Sequence, residues 1–227
     1  MIPLKDDNPI SSRPIVTYFL IGLCVVVFLM QLGSQSYRTG QLFYSYGLIP
    51  SVLMGHDQLP MDLYAVPAYM TIFSSMFMHG GWIHLIGNMW YMKIFADNIE
   101  DNLGARNFII FYILCGIGAA MTQVLMNTHS QVPMVGASGA IGGVLGAYLI
   151  NHPNARVLVL IPYIIITIIK IRALYVLGFW FILQFISQGG GVAYAAHIGG
   201  FISGMVLILF FNKKVRRKTK IIKGPWS

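Results

Sequence analysis

The sequence predicts an all-α fold, a polytopic bundle of six membrane-spanning helices. Of its 227 residues, 56% are hydrophobic and 10% are charged, whereas charged residues make up about 25% of a soluble domain. Several apolar runs approach the roughly 20 residues that an α-helix needs to cross a bilayer. The predicted spans cover approximately residues 14–32, 77–99, 107–126, 134–150, 173–186 and 192–211.

The segments outside these spans differ in length and character. Residues 1–13 form a polar N-terminal tail and residues 213–227 a basic C-terminal tail, on either side of a membrane domain of residues 14–212. The connection 33–72 is too long for a structureless link and has apolar patches of its own. We therefore expect it to pack at the membrane interface.

The apolar stretch 157–169 decides the number of spans. It is short, it contains Pro162, and it is crowded with β-branched residues. A run of this length is more often interfacial or re-entrant than spanning, so the sequence predicts that it does not cross the bilayer. An even number of spans then puts both chain ends on the same side.

The distribution of basic residues orients the predicted bundle. The net charge is +8, and seven of the 15 basic residues lie in the tail 213–227. Most of the others fall in the N-terminal tail or in predicted inner connections, whereas Arg38 is the one basic residue in a predicted outer loop. This asymmetry predicts a plasma-membrane protein with both termini in the cytoplasm. A basic run directly after a span is typical of an anchor near anionic lipid headgroups, and no nucleic-acid binding is expected.

Four polar side chains are predicted to lie at a similar depth in the bilayer. At 1.5 Å per residue, Ser138 lies about 6 Å into the fourth span and His197 about 7 Å into the sixth. His84 and Asn88 lie in the second span, four residues apart and so on one helix face. All three spans enter from the outer side, and an ionisable side chain within a bilayer is a functional hypothesis by default.

These residue types fit nucleophilic catalysis. A serine nucleophile needs a base within hydrogen-bond reach and donors aimed at the developing oxyanion. We expect Ser138 to attack a peptide carbonyl and His197 to act as its base, with His84, Asn88 and the Ser138 backbone N–H as oxyanion donors. Because no acidic residue follows Asp101, a Ser–His dyad is favoured over a triad.

Three motifs carry a family resemblance. They are MHGGWIHLIGNM at residues 78–89, GASG at residues 136–139 and AHIGG at residues 196–200. In this order, and with the opening IPLKDDNP, they resemble the rhomboid intramembrane serine proteases. The resemblance extends over nearly the whole chain, and the connection 33–72 would correspond to the membrane-embedded first loop of that family.

The resemblance implies a role for each of the four residues. Ser138 would be the nucleophile, His197 its base, and His84 and Asn88 part of the oxyanion hole. The family cleaves transmembrane substrates near the outer leaflet and needs no metal or cofactor. Some members place a tyrosine beneath the histidine, shortly after the nucleophile. Here that position falls near Gly142, so either another ring supports His197 or none does.

The same residues allow other interpretations. A serine between glycines is often a packing residue, and a histidine in a span is often a hydrogen-bonding partner between helices. His79 and His84 are five residues apart without a His-Glu-x-x-His pattern, which argues against zinc. Two rivals to a protease are a non-catalytic relative that binds transmembrane segments and a small transporter with proton-relaying histidines. A protease of this kind is predicted to prefer transmembrane substrates with helix-weakening residues near the cut.

Overall fold

The structure is a computed structural model that describes residues 1–34, 36–162, 166–186 and 192–211. The predicted basic tail 213–227 lies outside the described residues. In chain order the helices are α1 (Ile15–Gly33), α2 (Ser36–Tyr46), α3 (Pro50–Leu53), α4 (Thr71–Ser74), α5 (Trp82–Leu103), α6 (Ala105–Met126), α7 (Ser138–Asn151), α8 (Ala173–Ile186) and α9 (Tyr194–Phe211). Short 3₁₀ turns at Ala68–Met70 and Ser75–Phe77 flank α4.

Helices α1, α5, α6, α7, α8 and α9 coincide with the six apolar runs of the sequence. Among the described residues, α1, α6 and α9 are long and apolar enough to cross a membrane, by length and composition. Helices α7 and α8 are apolar but have only 14 residues each. Large apolar side chains on several helices point outwards, with Ile83 90% exposed and Phe210 77% exposed. A surface of this kind suits lipid rather than water.

Helix α7 lies at the centre of the bundle. Every residue from Gly139 to Tyr148 is buried. Helix α9 packs directly against it, and a side chain at Gly204 would collide with the backbone of Gly143. Small residues at this interface therefore let the two helix backbones approach closely, which brings side chains of α7 and α9 within reach of each other.

Part of the fold is β-structure, which corrects the all-α prediction. Strands β1 (Ile2–Asp6), β2 (Arg156–Pro162) and β3 (Ile166–Arg172) form an antiparallel sheet in the order β1-β2-β3. The described residues of the stretch 157–169, which are 157–162 and 166–169, therefore lie in strands β2 and β3 and do not form a re-entrant helix. Val157 and Val159 are fully buried on one face.

The N-terminal tail is bound to the end of α5. Backbone and hydroxyl groups of Ser11 and Ser12 donate to the carboxylate of Asp101. Glu100 accepts from the backbone N–H groups of Val16 (2.9 Å) and Thr17 (2.7 Å) at the start of α1. We call this part of the molecule the sheet end, which comprises residues 2–17, 97–104, 148–162 and 166–173.

Residues of the connection 33–72 pack against the opposite end of the bundle, as expected of a packed rather than structureless link. Leu48 forms an antiparallel bridge with Met134, with reciprocal backbone hydrogen bonds of 3.0 and 2.8 Å. Ser51 N–H donates to the carbonyl oxygen of Ser130 at 3.0 Å. The connection is thus held next to the segment that leads into α7.

Candidate active site

Ser138 is the first residue of α7. The preceding Gly136 has a φ of +128° and donates its N–H to the carbonyl of Ser75 at 2.8 Å. This conformation favours glycine and stops the helix from starting earlier. The predicted span begins near Met134, which would put Ser138 inside a helix, whereas the structure puts it at the N-terminus of α7. The first amides of a helix have no acceptor within it, and the Ser138 N–H is therefore available to a substrate.

His197 lies in the first turn of α9 and contacts Ser138 directly. Its Nε2 atom is 2.8 Å from the Ser138 hydroxyl oxygen, within normal hydrogen-bond distance. Both side chains are half-buried. The two residues are 59 positions apart in the chain, and the close packing of α7 on α9 brings them together.

His84 lies beside this pair, and its hydrogen bonding fixes the position of its proton. The backbone N–H of Gly80 donates to Nδ1 of His84 at 3.3 Å, so Nδ1 is an acceptor. In a neutral imidazole the proton is then on Nε2. That nitrogen lies over Gly136, where an added Cβ atom would be 2.7 Å from it. Glycine at this position therefore leaves room for a donor close to Ser138.

Asn88 lies one turn further along α5. Its side chain is 8% exposed, and its Nδ2 has no hydrogen-bond partner among the described residues. Buried amide donors are nearly always paired, so an unpaired one next to a cavity needs an explanation. An oxygen atom of a bound substrate would satisfy it.

These four residues line one cavity of about 880 Å³. The rest of its lining is mainly apolar and includes Met76, Trp180 and Val192. A large apolar cavity with a few convergent polar groups is typical of a binding or catalytic site. We call this part of the molecule, with the starts of α5, α7 and α9, the pocket end.

Sequence reasoning missed Gln184. This residue of α8 is buried, and its Oε1 atom lies 2.8 Å from Nδ1 of His197. The absence of a later carboxylate led to a dyad without a third member, but an amide occupies the place where a triad has its acid. The available signal was a single amide within the apolar run 173–186.

A ring does lie against His197, which answers the question left open at Gly142. The Trp180 ring centroid is 5.8 Å from that of His197 at an interplanar angle of 31°, and Tyr194 lies at 6.2 Å. His79 is fully buried, and its backbone exchanges hydrogen bonds of 3.2 Å with the Gln31 amide. His79 thus fixes the segment before α5.

Comparison with known proteins places the chain in a family. The family model described as "Rhomboid domain" matches residues 67–214. The chain belongs to the rhomboid family. Membership and the long apolar helices together make this rhomboid a membrane protein.

Several curated relatives have similar sequences. "Rhomboid protease GluP" of Bacillus subtilis is 28% identical over 197 residues, which is 86% of this chain and 34% of that protein. "Putative rhomboid protease YdcA" of the same organism is 32% identical over 147 residues, 62% of this chain and 66% of that protein. "RHOMBOID-like protein 5" of Arabidopsis thaliana is 31% identical over 138 residues, 60% of this chain and 42% of that protein. This rhomboid spans about half the length of the curated relatives it matches.

Proposed function

We propose that this rhomboid is an intramembrane serine endopeptidase that hydrolyses peptide bonds in or near transmembrane segments of other proteins. The observation that carries the proposal is the 2.8 Å contact between Ser138 Oγ and His197 Nε2, in a cavity that His84 and Asn88 also line. The names of the two Bacillus relatives, "Rhomboid protease GluP" and "Putative rhomboid protease YdcA", support it as well.

The proposed reaction begins with Ser138. Its Oγ atom attacks the scissile carbonyl carbon while its proton passes to Nε2 of His197. The carbonyl oxygen becomes an oxyanion that accepts hydrogen bonds from His84 Nε2–H, Asn88 Nδ2–H and the Ser138 backbone N–H. The C–N bond then breaks as His197 returns the proton to the leaving amine. Water attacks the acyl-enzyme with His197 again as base, which releases the carboxylic acid product and restores the Ser138 hydroxyl.

We propose a six-span architecture with the pocket end near the extracytoplasmic face. A 14-residue helix is about 21 Å long, shorter than the roughly 30 Å hydrocarbon core. The short α7 is nevertheless surrounded by protein, so it does not need to reach both interfaces by itself. Residues 1–13 and 213–227 then lie in the cytoplasm, with the membrane domain 14–212 between them.

The distribution of basic residues supports this orientation. At the sheet end, Lys5, Arg156, Lys170 and Arg172 lie on the three strands. Arg106 lies at the start of α6, next to the end of α5. A concentration of basic residues on one side is typical of the cytoplasmic face of a plasma-membrane protein.

Cleavage of a transmembrane reporter by the purified full chain in detergent tests the activity. We expect Ser138→Ala and His197→Ala each to lower kcat by about 10⁴-fold or more, because nucleophile and base act as a unit. Matched controls are Ser203→Ala, a serine that packs against Gly118 between α9 and α6, and His129→Ala, whose ring stacks on His56. Equal cleavage by wild type and Ser138→Ala would refute the proposal, and transport that survives this change would favour the transporter.

Thiol labelling tests the orientation. The native Cys24 and Cys115 are buried, so single cysteines can be introduced at exposed positions. Gln131 and Lys170 are both exposed, at the pocket end and the sheet end respectively. We expect a membrane-impermeant reagent to label Gln131→Cys in intact cells and Lys170→Cys only after the membrane is opened. The reverse pattern would invert the proposed topology.

A further inference from the structure

Gln184 is the one residue of α8 with an amide side chain, in a helix that is otherwise apolar or aromatic. One side of the helix presents exposed residues such as Ile182 and Phe185. Gln184 faces the opposite way and is 8% exposed. An amide in such a setting is costly unless both its donor and its acceptor are satisfied.

Both polar atoms of the Gln184 amide have partners. Its Nε2 lies 2.7 Å from the backbone carbonyl oxygen of Trp180, and its Oε1 lies 2.8 Å from Nδ1 of His197. A carbonyl oxygen can only accept, so the NH₂ group must face Trp180. The amide oxygen therefore faces His197, and the backbone of α8 excludes the flipped orientation.

This orientation fixes the tautomer of His197. An amide oxygen can only accept, so the imidazole must carry its proton on Nδ1. Nε2 of the neutral ring is then a lone pair, directed at the Ser138 hydroxyl 2.8 Å away. In the opposite tautomer Nε2 would carry a proton and could not take one from serine. The backbone carbonyl of Trp180 thus determines, through one amide, which nitrogen of His197 is basic.

The same turn of α8 also holds the imidazole by its face. The Trp180 ring lies against the His197 ring. It also contacts the Phe201 ring, with a centroid distance of 6.0 Å and an interplanar angle of 29°. The His197 imidazole is therefore restrained by a ring contact with Trp180 and by a hydrogen bond to Gln184. These two residues are four positions apart on α8.

We propose that Gln184 is a positioning residue that completes the Ser138–His197 pair, in the place that an acidic residue takes in a catalytic triad. This inference rests on the proposed protease function. Gln184 does not touch the substrate; it holds His197 in the tautomer and orientation that accept the Ser138 proton. Cleavage consequently depends on α8 remaining against α9 at this turn.

Nitrogen NMR of the wild-type protein tests the inference without any cleavage. With ¹⁵N-labelled histidine in detergent, and His197 assigned by comparison with His197→Asn, we expect the proton of the neutral ring on Nδ1. In Gln184→Met, which keeps the side-chain length but has no oxygen acceptor, we expect a mixture of tautomers. A wild-type His197 with its proton on Nε2 would overturn the inference, even if Ser138→Ala abolishes cleavage.

Kinetics of three variants give the second measurement. Gln184→Met should lower kcat about 10- to 100-fold, the effect of losing a group that orients a histidine through its second nitrogen, with KM little changed. Gln184→Glu keeps an oxygen acceptor and should restore part of that loss. Gln123→Met is the matched control, since the Gln123 amide accepts from Ala196 N–H at 3.2 Å, one residue before His197. If Gln184→Met and Gln184→Glu had equal kcat, the Gln184 amide would have only a structural role. The same would hold if the control Gln123→Met showed the same mixture of His197 tautomers.

Discussion

Helix α5 carries buried polar side chains at both ends, and the two ends differ in how those groups are satisfied. Near its C-terminus, Glu100 accepts three hydrogen bonds from the start of α1, and Asn98 donates to Asp6. Near its N-terminus, Asn88 keeps a buried donor without a partner among the described residues. The helix is the same and the burial is similar, so the difference lies in the partners.

Under the proposed function, this contrast separates groups that stabilise the fold from a group that binds the substrate. A buried polar group with partners contributes a modest net free energy, whereas one without a partner costs about 1–3 kcal/mol. At the sheet end, hydrogen bonds within the protein, such as those from Val16 and Thr17 to Glu100, remove the free-energy cost of burial. At the pocket end it is retained, and a substrate oxygen would remove it. Changes at the pocket end should therefore affect rate, and changes at the sheet end should affect stability.

Among the changes that test this contrast, Asn88→Ala should have the largest effect. Loss of one oxyanion donor should lower kcat by about 10²- to 10³-fold. The free energy of unfolding should stay the same or rise, because the variant no longer buries an unpaired donor. Reporter cleavage and thermal unfolding in detergent, measured on the same preparation, check both parts.

Asn98→Ala is the matched control for that experiment, with the same substitution on the same helix. Asn98 is buried and its Nδ2 donates to Asp6 at 3.0 Å. We expect this variant to lose about 1–2 kcal/mol of stability because the half-buried Asp6 carboxylate loses one of its two side-chain donors, and to keep its kcat. If Asn88→Ala and Asn98→Ala both lowered stability and neither lowered kcat, the two ends of α5 would not differ in this way.

An effect smaller than that of Asn88→Ala, and on stability rather than on rate, is expected from Glu100→Ala. Val16 N–H, Thr17 N–H and the Thr17 hydroxyl would lose their acceptor at the start of α1. The cost should be about 2–3 kcal/mol, from buried donors left unpaired. Glu100→Gln retains one acceptor oxygen and should fall between wild type and Ala in unfolding temperature. A drop in kcat per folded molecule without a drop in unfolding temperature would contradict this assignment.

The parts of the fold that could be predicted from sequence are those set by local composition. The apolar run 173–186 coincides with α8, and the predicted bounds of the sixth run differ from those of α9 by two residues at its start. Such runs are detectable because the bilayer requires a minimum apolar length. The polar residues within them were equally visible, since each interrupts an apolar pattern.

The sheet could not be predicted because its pairing is non-local. Ile2 lies opposite Leu160, and nothing within either segment specifies the other as partner. The start of α7 was misplaced because the positive φ of Gly136 has no signature beyond a glycine among many. Gln184 was passed over because a single amide has no spacing pattern; only the packing of α8 on α9 gives it a partner.

The smallest expected effect is at Asp6 in strand β1, outside the spans. Burial raises the pKa of its carboxyl above the usual value, against the opposing effect of the Tyr148 hydroxyl, which donates to it at 2.5 Å. The carboxyl groups of Asp7 and Asp97 also face it. A raised pKa in the folded state means that the contribution of Asp6 to stability is fully present at acidic pH and is lost as pH rises through the folded pKa.

Asp6→Asn removes this dependence while keeping an oxygen that can accept from Tyr148 and Asn98. At pH 7 the variant should be at least as stable as wild type. The gain in the free energy of unfolding should be less than about 1 kcal/mol, because water still reaches the Asp6 side chain. The difference should shrink as pH falls through the raised pKa of Asp6, because the wild-type carboxyl then becomes protonated. Asp7→Asn removes the same charge at the neighbouring, exposed position and controls for net charge. Unfolding temperatures of wild type and both variants at several pH values test this prediction. If Asp6→Asn were less stable than wild type at pH 7, the sheet end would depend on the ionised Asp6 carboxylate.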